Sequence, residues 1–213
     1  MPYKQAIFAN GEYYHVFNRG LEKREIFGVK RNYERFRETF IYYQSANPPV
    51  RFSFSKTTPN PKKPQGEKLV EIICYSLMPT HFHFLLQQIK EYGITTFISK
   101  VSNSYTKFFN TKHKRNGPIF TGPFKAVRIE DEEQLLHVNR YIHLNPLIDY
   151  LTKDLRVYPY SSYPEYIDIS KTNICNKAPI LSHFKSLADY EKFVLDQEDY
   201  GRKIKQIERL LLE

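Results

Sequence analysis

Polar and apolar side chains alternate most clearly at Tyr13-Tyr14-His15-Val16-Phe17-Asn18, which predicts a strand ended by Arg19-Gly20. Tyr33, Phe36, Phe40 and Tyr43 then recur at helical spacing, so a helix is expected from Lys30 to Gln44. Leu69 to Met78 is a nearly continuous apolar run of strand length. Met78-Pro79-Thr80 turns the chain into a partner strand, His81 to Gln88, as a tight antiparallel hairpin. A second helix is expected from Thr95 to about Asn110. His113 to Gly122 follows as a loop, and Phe124 to Ile129 as a last strand. Asp131 can cap a further helix, which Pro146 is expected to stop. The order strand, helix, strand, strand, helix, strand predicts an α+β, ferredoxin-like split βαβ fold, with an antiparallel sheet and helices on one face.

Two stretches fall outside that pattern. Residues 47–66 hold Pro48, Pro49, Pro59, Pro61 and Pro64 with Lys62 and Lys63 between, and read as a flexible basic loop without regular structure. Beyond Tyr166 the pattern turns helical. Ser186 with Asp189 marks a start, and Leu187, Tyr190, Phe193 and Val194 follow at helical spacing. Gly201 is expected to separate this helix from a final one ending in Leu210-Leu211-Leu212. The chain is therefore divided into a main domain, 1–166, and a helical C-terminal appendage, 167–213.

Of the 213 residues, 41% are hydrophobic and 26% charged, an ordinary balance for a folded globular chain. No apolar run approaches the roughly 20 residues a membrane span needs, and Met1-Pro2-Tyr3-Lys4 lacks the apolar stretch of a signal peptide. Cys74 and Cys175 lie far apart without metal-type spacing. Together these features lead to the expectation of a cytoplasmic, reduced protein with no membrane partner.

Charge alters the picture more. The net charge is +9, and no Asp or Glu occurs from Tyr92 through Ile129. That stretch carries Lys100, Lys107, Lys112, Lys114, Arg115, Lys125 and Arg128. A polyanion would be drawn to such a surface, although a merely solvated basic face has the same composition. Seventeen Tyr and sixteen Phe accompany the cations, and exposed ones would suit stacking on unpaired bases.

His81-Phe82-His83 is the first candidate for chemistry. Positions two apart on a strand share a face, so both imidazoles can meet one metal ion while Phe82 is buried behind them. The bland alternative is a pair of solvated polar residues, and imidazoles alone would favour zinc or another transition metal. Tyr105 is the second candidate. It lies mid-stripe among Ile94, Phe97, Ile98, Val101, Phe108 and Phe109, so it points at the sheet, either toward the histidines or simply into the core. A phenol, with a pKa of about 10, needs a nearby cation to attack a phosphodiester. Attack would yield a covalent phosphotyrosine.

These pieces resemble the REP-associated tyrosine transposases of the single-tyrosine HUH superfamily. The likeness is carried by Tyr14-His15-Val16-Phe17-Asn18-Arg19-Gly20, by Tyr75 through Leu86 around the His-Phe-His motif, and by Ser104-Tyr105-Thr106-Lys107-Phe108-Phe109-Asn110. It continues in Gly117 through Ala126, Tyr141-Ile142-His143-Leu144-Asn145-Pro146 and Ser161-Ser162-Tyr163. The resemblance implies a catalytic domain over 1–166, with His81 and His83 holding Mg²⁺ or Mn²⁺ in preference to zinc. It implies that Tyr105 cuts single-stranded DNA near a hairpin and leaves a 5′-phosphotyrosine and a 3′-OH. Related enzymes often take a third ligand from a Gln one turn after the tyrosine. Phe109 stands there, and Asn110, about 140° away around an ideal helix, is the substitute considered. Pro123 replaces an Arg common in relatives. Arg19, Lys107, Lys112, Lys114, Arg115, Lys125 and Arg128 are the expected DNA contacts. Tyr141 and His143 read as packing residues, Asn145-Pro146 as a helix stop, and Ser161 and Ser162 as caps or phosphate contacts.

Two rival functions share these features. One is a transposase-derived module that binds single-stranded or hairpin nucleic acid without cutting it. The other is a zinc hydrolase built on His81 and His83. A homodimer is left open.

Overall fold

A computed structural model describes residues 7–55 and 66–196. In chain order its elements are β1 (Tyr13–Arg19), α1 (Lys30–Tyr43), α2 (Phe52–Ser55), β2 (Val70–Met78), β3 (His81–Gln88), α3 (Gly93–Lys112), β4 (Lys125–Arg128), α4 (Glu132–Ile148), α5 (Tyr163–Tyr166), α6 (Ala178–Leu181) and α7 (Leu187–Leu195). The four strands form one sheet in the order β2-β3-β1-β4, antiparallel throughout. This is the arrangement expected of a split βαβ unit. Pro79 and Thr80 alone join β2 to β3, with Met78 paired to His81.

One face of the sheet packs on α1 and α3. Tyr14, Val16, Phe82, Phe84 and Leu86 are fully buried there, opposite Phe36, Phe40 and Phe97. Phe36 lies 5.2 Å from Phe82 between ring centroids, and Phe97 lies 6.1 Å from Phe84. Each such ring contributes about 1.5–3 kcal/mol of burial. Gly93 opens α3 hard against β2's approach, where a Cβ would sit 2.2 Å from the carbonyl oxygen of Leu69. The proline-rich stretch is not wholly irregular. Among its described residues it forms α2, where Phe52 is buried and packs 5.1 Å from Tyr42. Residues 56–65 of that loop lie outside the described residues.

The second face is covered by α4. The Asp131 carboxylate accepts the Gln134 N–H at 2.7 Å, as the cap reading anticipates. Pro146 does not stop this helix, which runs on to Ile148. Only two helical residues follow the proline, so its missing N–H falls in the last turn, where few further bonds depend on it.

The chain beyond α4 closes the outer edge of β2. Leu77 N–H donates to Tyr160 O at 2.9 Å, Ser162 N–H to Tyr75 O at 2.9 Å, and Asn176 N–H to Ile72 O at 2.8 Å. The hydroxyls of Tyr158 and Tyr166 add bonds to Leu77 O and Ile73 O. Cys175, Ile180, Tyr190 and Val194 join the same buried cluster as the sheet. The expected break at Gly201 and the last helix near Leu210 lie outside the described residues.

A buried polar chain ties these layers together. Tyr190 donates to Asn139 Oδ1 at 2.8 Å, so its oxygen accepts from His143 Nδ1 at 2.6 Å. His143 Nε2 then accepts the Ser162 hydroxyl at 2.7 Å, and Ser162 Oγ receives the Tyr75 N–H at 2.9 Å. Burial pushes His143 down to about 3, so it stands neutral. The unfolded chain protonates the same group near 6.5. Below that pH protons favour the unfolded state, and this residue removes about 1.4 kcal/mol of stability per pH unit until pH about 3 is reached. Urea midpoints are therefore expected to fall between pH 7 and about 4.5. His143→Gln, though less stable at pH 7, is expected to show a shallower fall. Equal slopes in the two proteins would refute this account.

Candidate active site

The alternation of β3 places His81 and His83 on the α4 face, opposite to Phe82 and Phe84. Antiparallel register brings Arg19 opposite His81 and Phe17 opposite His83, with His15 the diagonal neighbour. Lys125 pairs with Phe17 from β4, so it shares the face. The two imidazoles stand 5.0 Å apart between centroids, nearly perpendicular. His83 Nδ1 lies 2.9 Å from His15 Nε2, and His81 Nδ1 lies 2.9 Å from Thr80 Oγ1. With both Nδ1 atoms engaged, Nε2 is the nitrogen each histidine would turn to a metal. Burial pushes His15 down to about 4, which leaves it neutral at pH 7.

Tyr105 does not belong to this site. It is 0% exposed on the other face, beneath α3, with its ring 5.1 Å from Phe36 and 5.3 Å from Phe27. Its hydroxyl donates to the carbonyl of Ile26. Burial, and secondarily Tyr33, raises its pKa above the ordinary phenol value, the reverse of an activated nucleophile. The sheet stands between this ring and the histidines, and no rotamer change crosses a sheet. Asn110 shares α3 and is likewise misplaced for a ligand. Its amide donates to Gly117 O at 2.8 Å and holds the loop that follows.

Among the described residues, the tyrosine that does meet the histidines is Tyr141, which the sequence reading assigned to packing. It is 47% exposed, and its ring lies 5.6 Å from His83 and 5.9 Å from His15, edge-on to both. Asn145 follows one helical turn later on the same stripe of α4. It is 3% exposed, and its Nδ2 donates to Tyr141 O at 2.8 Å. His143 points away between them, into the buried polar chain described above. The spacing Tyr141-x-x-x-Asn145 was the overlooked signal. It supplies the amide one turn after a tyrosine that Tyr105 lacks, because Phe109 stands there.

Among the described residues, no three His, Cys, Asp or Glu side chains gather into a metal-binding group. Two imidazoles alone suit zinc and other transition ions; a carboxamide oxygen and phosphate oxygens added to them make a harder donor set that also suits Mn²⁺. The expected DNA contacts separate. Arg19 and Lys125 are exposed on the histidine face. Lys107, Lys112, Lys114 and Arg115 sit on α3 and its following turn, where Lys112 donates to Asn32 at 2.7 Å and Arg115 to Pro118 O at 3.2 Å. Arg128 pairs with Glu12 at 3.1 Å. No helix among the described residues is long and apolar enough to cross a membrane.

Residues 61–145 match the family of IS200-like transposases. No curated protein matches the chain. The fold is similar to that of a REP-associated tyrosine transposase bound to a REP hairpin, with a TM-score of 0.57 and 13% identity over 83% of this chain and 98% of that one. A crystal structure of a candidate transposase from Deinococcus radiodurans R1 aligns with a TM-score of 0.39 and 10% identity, covering 65% of this chain and 94% of that one. The resemblance read from the sequence therefore has two counterparts: residues 61–145 are similar to IS200-like transposases, and the fold is similar to that of the REP-associated tyrosine transposase.

Proposed function

We propose that the protein is a metal-dependent DNA-nicking and strand-transferring transposase whose nucleophile is Tyr141. The observation that carries this reading is the half-exposed Tyr141 ring standing 5.6 Å from His83 on the α4 face of the sheet. His81 and His83 would hold a divalent cation through Nε2, and Asn145 through its amide oxygen. When bound, such a cation offsets phosphate charge and polarises the phosphoryl oxygens. Arg19 and Lys125 flank the same surface and hold the strand by its backbone. Tyr141 Oη attacks phosphorus as it loses its proton. A tyrosyl P–O bond forms, the P–O3′ bond breaks, and the departing oxygen leaves as a 3′-OH. The 5′-phosphotyrosine keeps the bond energy for rejoining, so no water is needed. The substrate in this reading is single-stranded DNA beside a hairpin; the structural neighbour is bound to a REP hairpin. Lys107, Lys112, Lys114 and Arg115 make a separate basic surface for flanking DNA.

Incubation with Mn²⁺ and hairpin-bearing single-stranded DNA is expected to give a covalent protein–DNA adduct. Tyr141→Phe is expected to lower adduct formation by about three orders of magnitude or more, as loss of a nucleophile does. Tyr105→Phe is expected to form adduct normally while costing about 1 kcal/mol of stability, since it only unpairs the Ile26 carbonyl. Adduct lost in Tyr105→Phe but kept in Tyr141→Phe would sink the assignment. Binding with no adduct in the parent protein would favour a non-cutting regulator.

Salt dependence separates the cations. Arg19→Ala and Lys125→Ala are each expected to flatten the log K against log salt slope for single-stranded DNA by about 0.7. Arg128→Ala, already paired with Glu12, is expected to leave it unchanged. Fluorescence anisotropy titrations over a salt series read both.

A further inference from the structure

We propose that His15 is a positioning residue that fixes the tautomer of His83 for metal binding; this rests on the metal reading of His81 and His83 above. His15 Nε2 and His83 Nδ1 face each other at 2.9 Å, with the rings 5.1 Å apart and only 22° from parallel. Such a contact holds one proton between two nitrogens, so one atom donates and the other accepts. If His15 donated, His83 would carry its own proton on Nε2, and that nitrogen would have no lone pair for a cation. If His83 donates, its Nδ1 holds the proton and Nε2 presents the lone pair. The second arrangement requires His15 to carry its proton on Nδ1 and accept through Nε2.

The register explains why β1 supplies this group. Phe17 lies directly opposite His83, which places residue 15 one diagonal step away on the same face. The other histidine receives the same service from a different element. Thr80 Oγ1, in the hairpin turn, lies 2.9 Å from His81 Nδ1 and can accept its proton. Both imidazoles thus have an acceptor beside Nδ1, and in that arrangement each keeps its ring lone pair on Nε2. Outer partners of this kind orient ligating imidazoles and raise their basicity.

Two measurements test the assignment. Long-range proton–nitrogen NMR of the metal-free parent protein is expected to show His83 protonated at Nδ1. Protonation at Nε2 overturns the proposal without any mutation. Calorimetric titration with Mn²⁺, in the absence of DNA, is expected to show His15→Phe binding about 10–100-fold more weakly than the parent. His15→Gln, which keeps an acceptor, is expected to recover most of the loss. Parent-like affinity in His15→Phe, or equal loss in both variants, overturns the positioning role. A parent protein that takes up no Mn²⁺ overturns the metal reading itself, and this inference with it.

Discussion

A β-sheet is opaque to side chains. Each residue of a strand commits to one face, and neighbouring residues commit to opposite faces. On β3 this rule sends Phe82 and Phe84 into the packed layer beneath α1 and α3, and His81 and His83 to the layer beneath α4. Every other feature of the site follows from that partition. Helices on the phenylalanine side build the core, whatever chemistry their side chains could perform in isolation. Among the described residues, it is groups from β1, β4, the hairpin turn and α4 that can share a ligand or a phosphate with the histidines.

The α4 helix is held more firmly than its solvent-facing residues suggest. His143 lies between Tyr141 and Asn145 in sequence but projects roughly the other way around the helix. There it bonds to Tyr190 and Ser162, and Ser162 is bonded in turn to the backbone of β2. The helix is thereby pinned from behind, and the two residues in front keep a fixed position over the sheet. A reacting phenol benefits from such pre-set geometry, because little order remains to be imposed when substrate binds.

Much of this was legible in the chain itself. Strand and helix periodicities located β1, α1, β2, β3, α3 and β4, and their order implied the sheet topology. The His-Phe-His motif was legible for the same reason, since a period of two decides the face. The choice between two tyrosines was not legible from periodicity. Tyr105 and Tyr141 both sit on helices that pack against the sheet, and hydrophobic spacing does not say which side a helix covers. The resemblance of Ser104 through Asn110 to a tyrosine-bearing helix pointed to Tyr105, yet its place in the middle of an apolar stripe is where burial is deepest. Chemical spacing was the better guide, through the amide at Asn145. The helix end was missed because a proline near a C-terminus costs little, and α2 because a four-residue helix leaves no period to detect. The role of the residues after Tyr166 was hidden for a different reason. Their main bonds run to the backbone of β2, and backbone groups carry no sequence signature.

The two margins of the sheet have been finished in different ways. Along β2, the segment from Tyr158 to Asn176 occupies the backbone groups that an incoming strand would need. At the far margin, β4 is only four residues long and carries Lys125 and Arg128. Short, cationic margins repel their own kind and resist strand-by-strand growth. Edge-to-edge pairing between copies is therefore disfavoured, and a surface able to gather a polyanion is kept without inviting the sheet to polymerise.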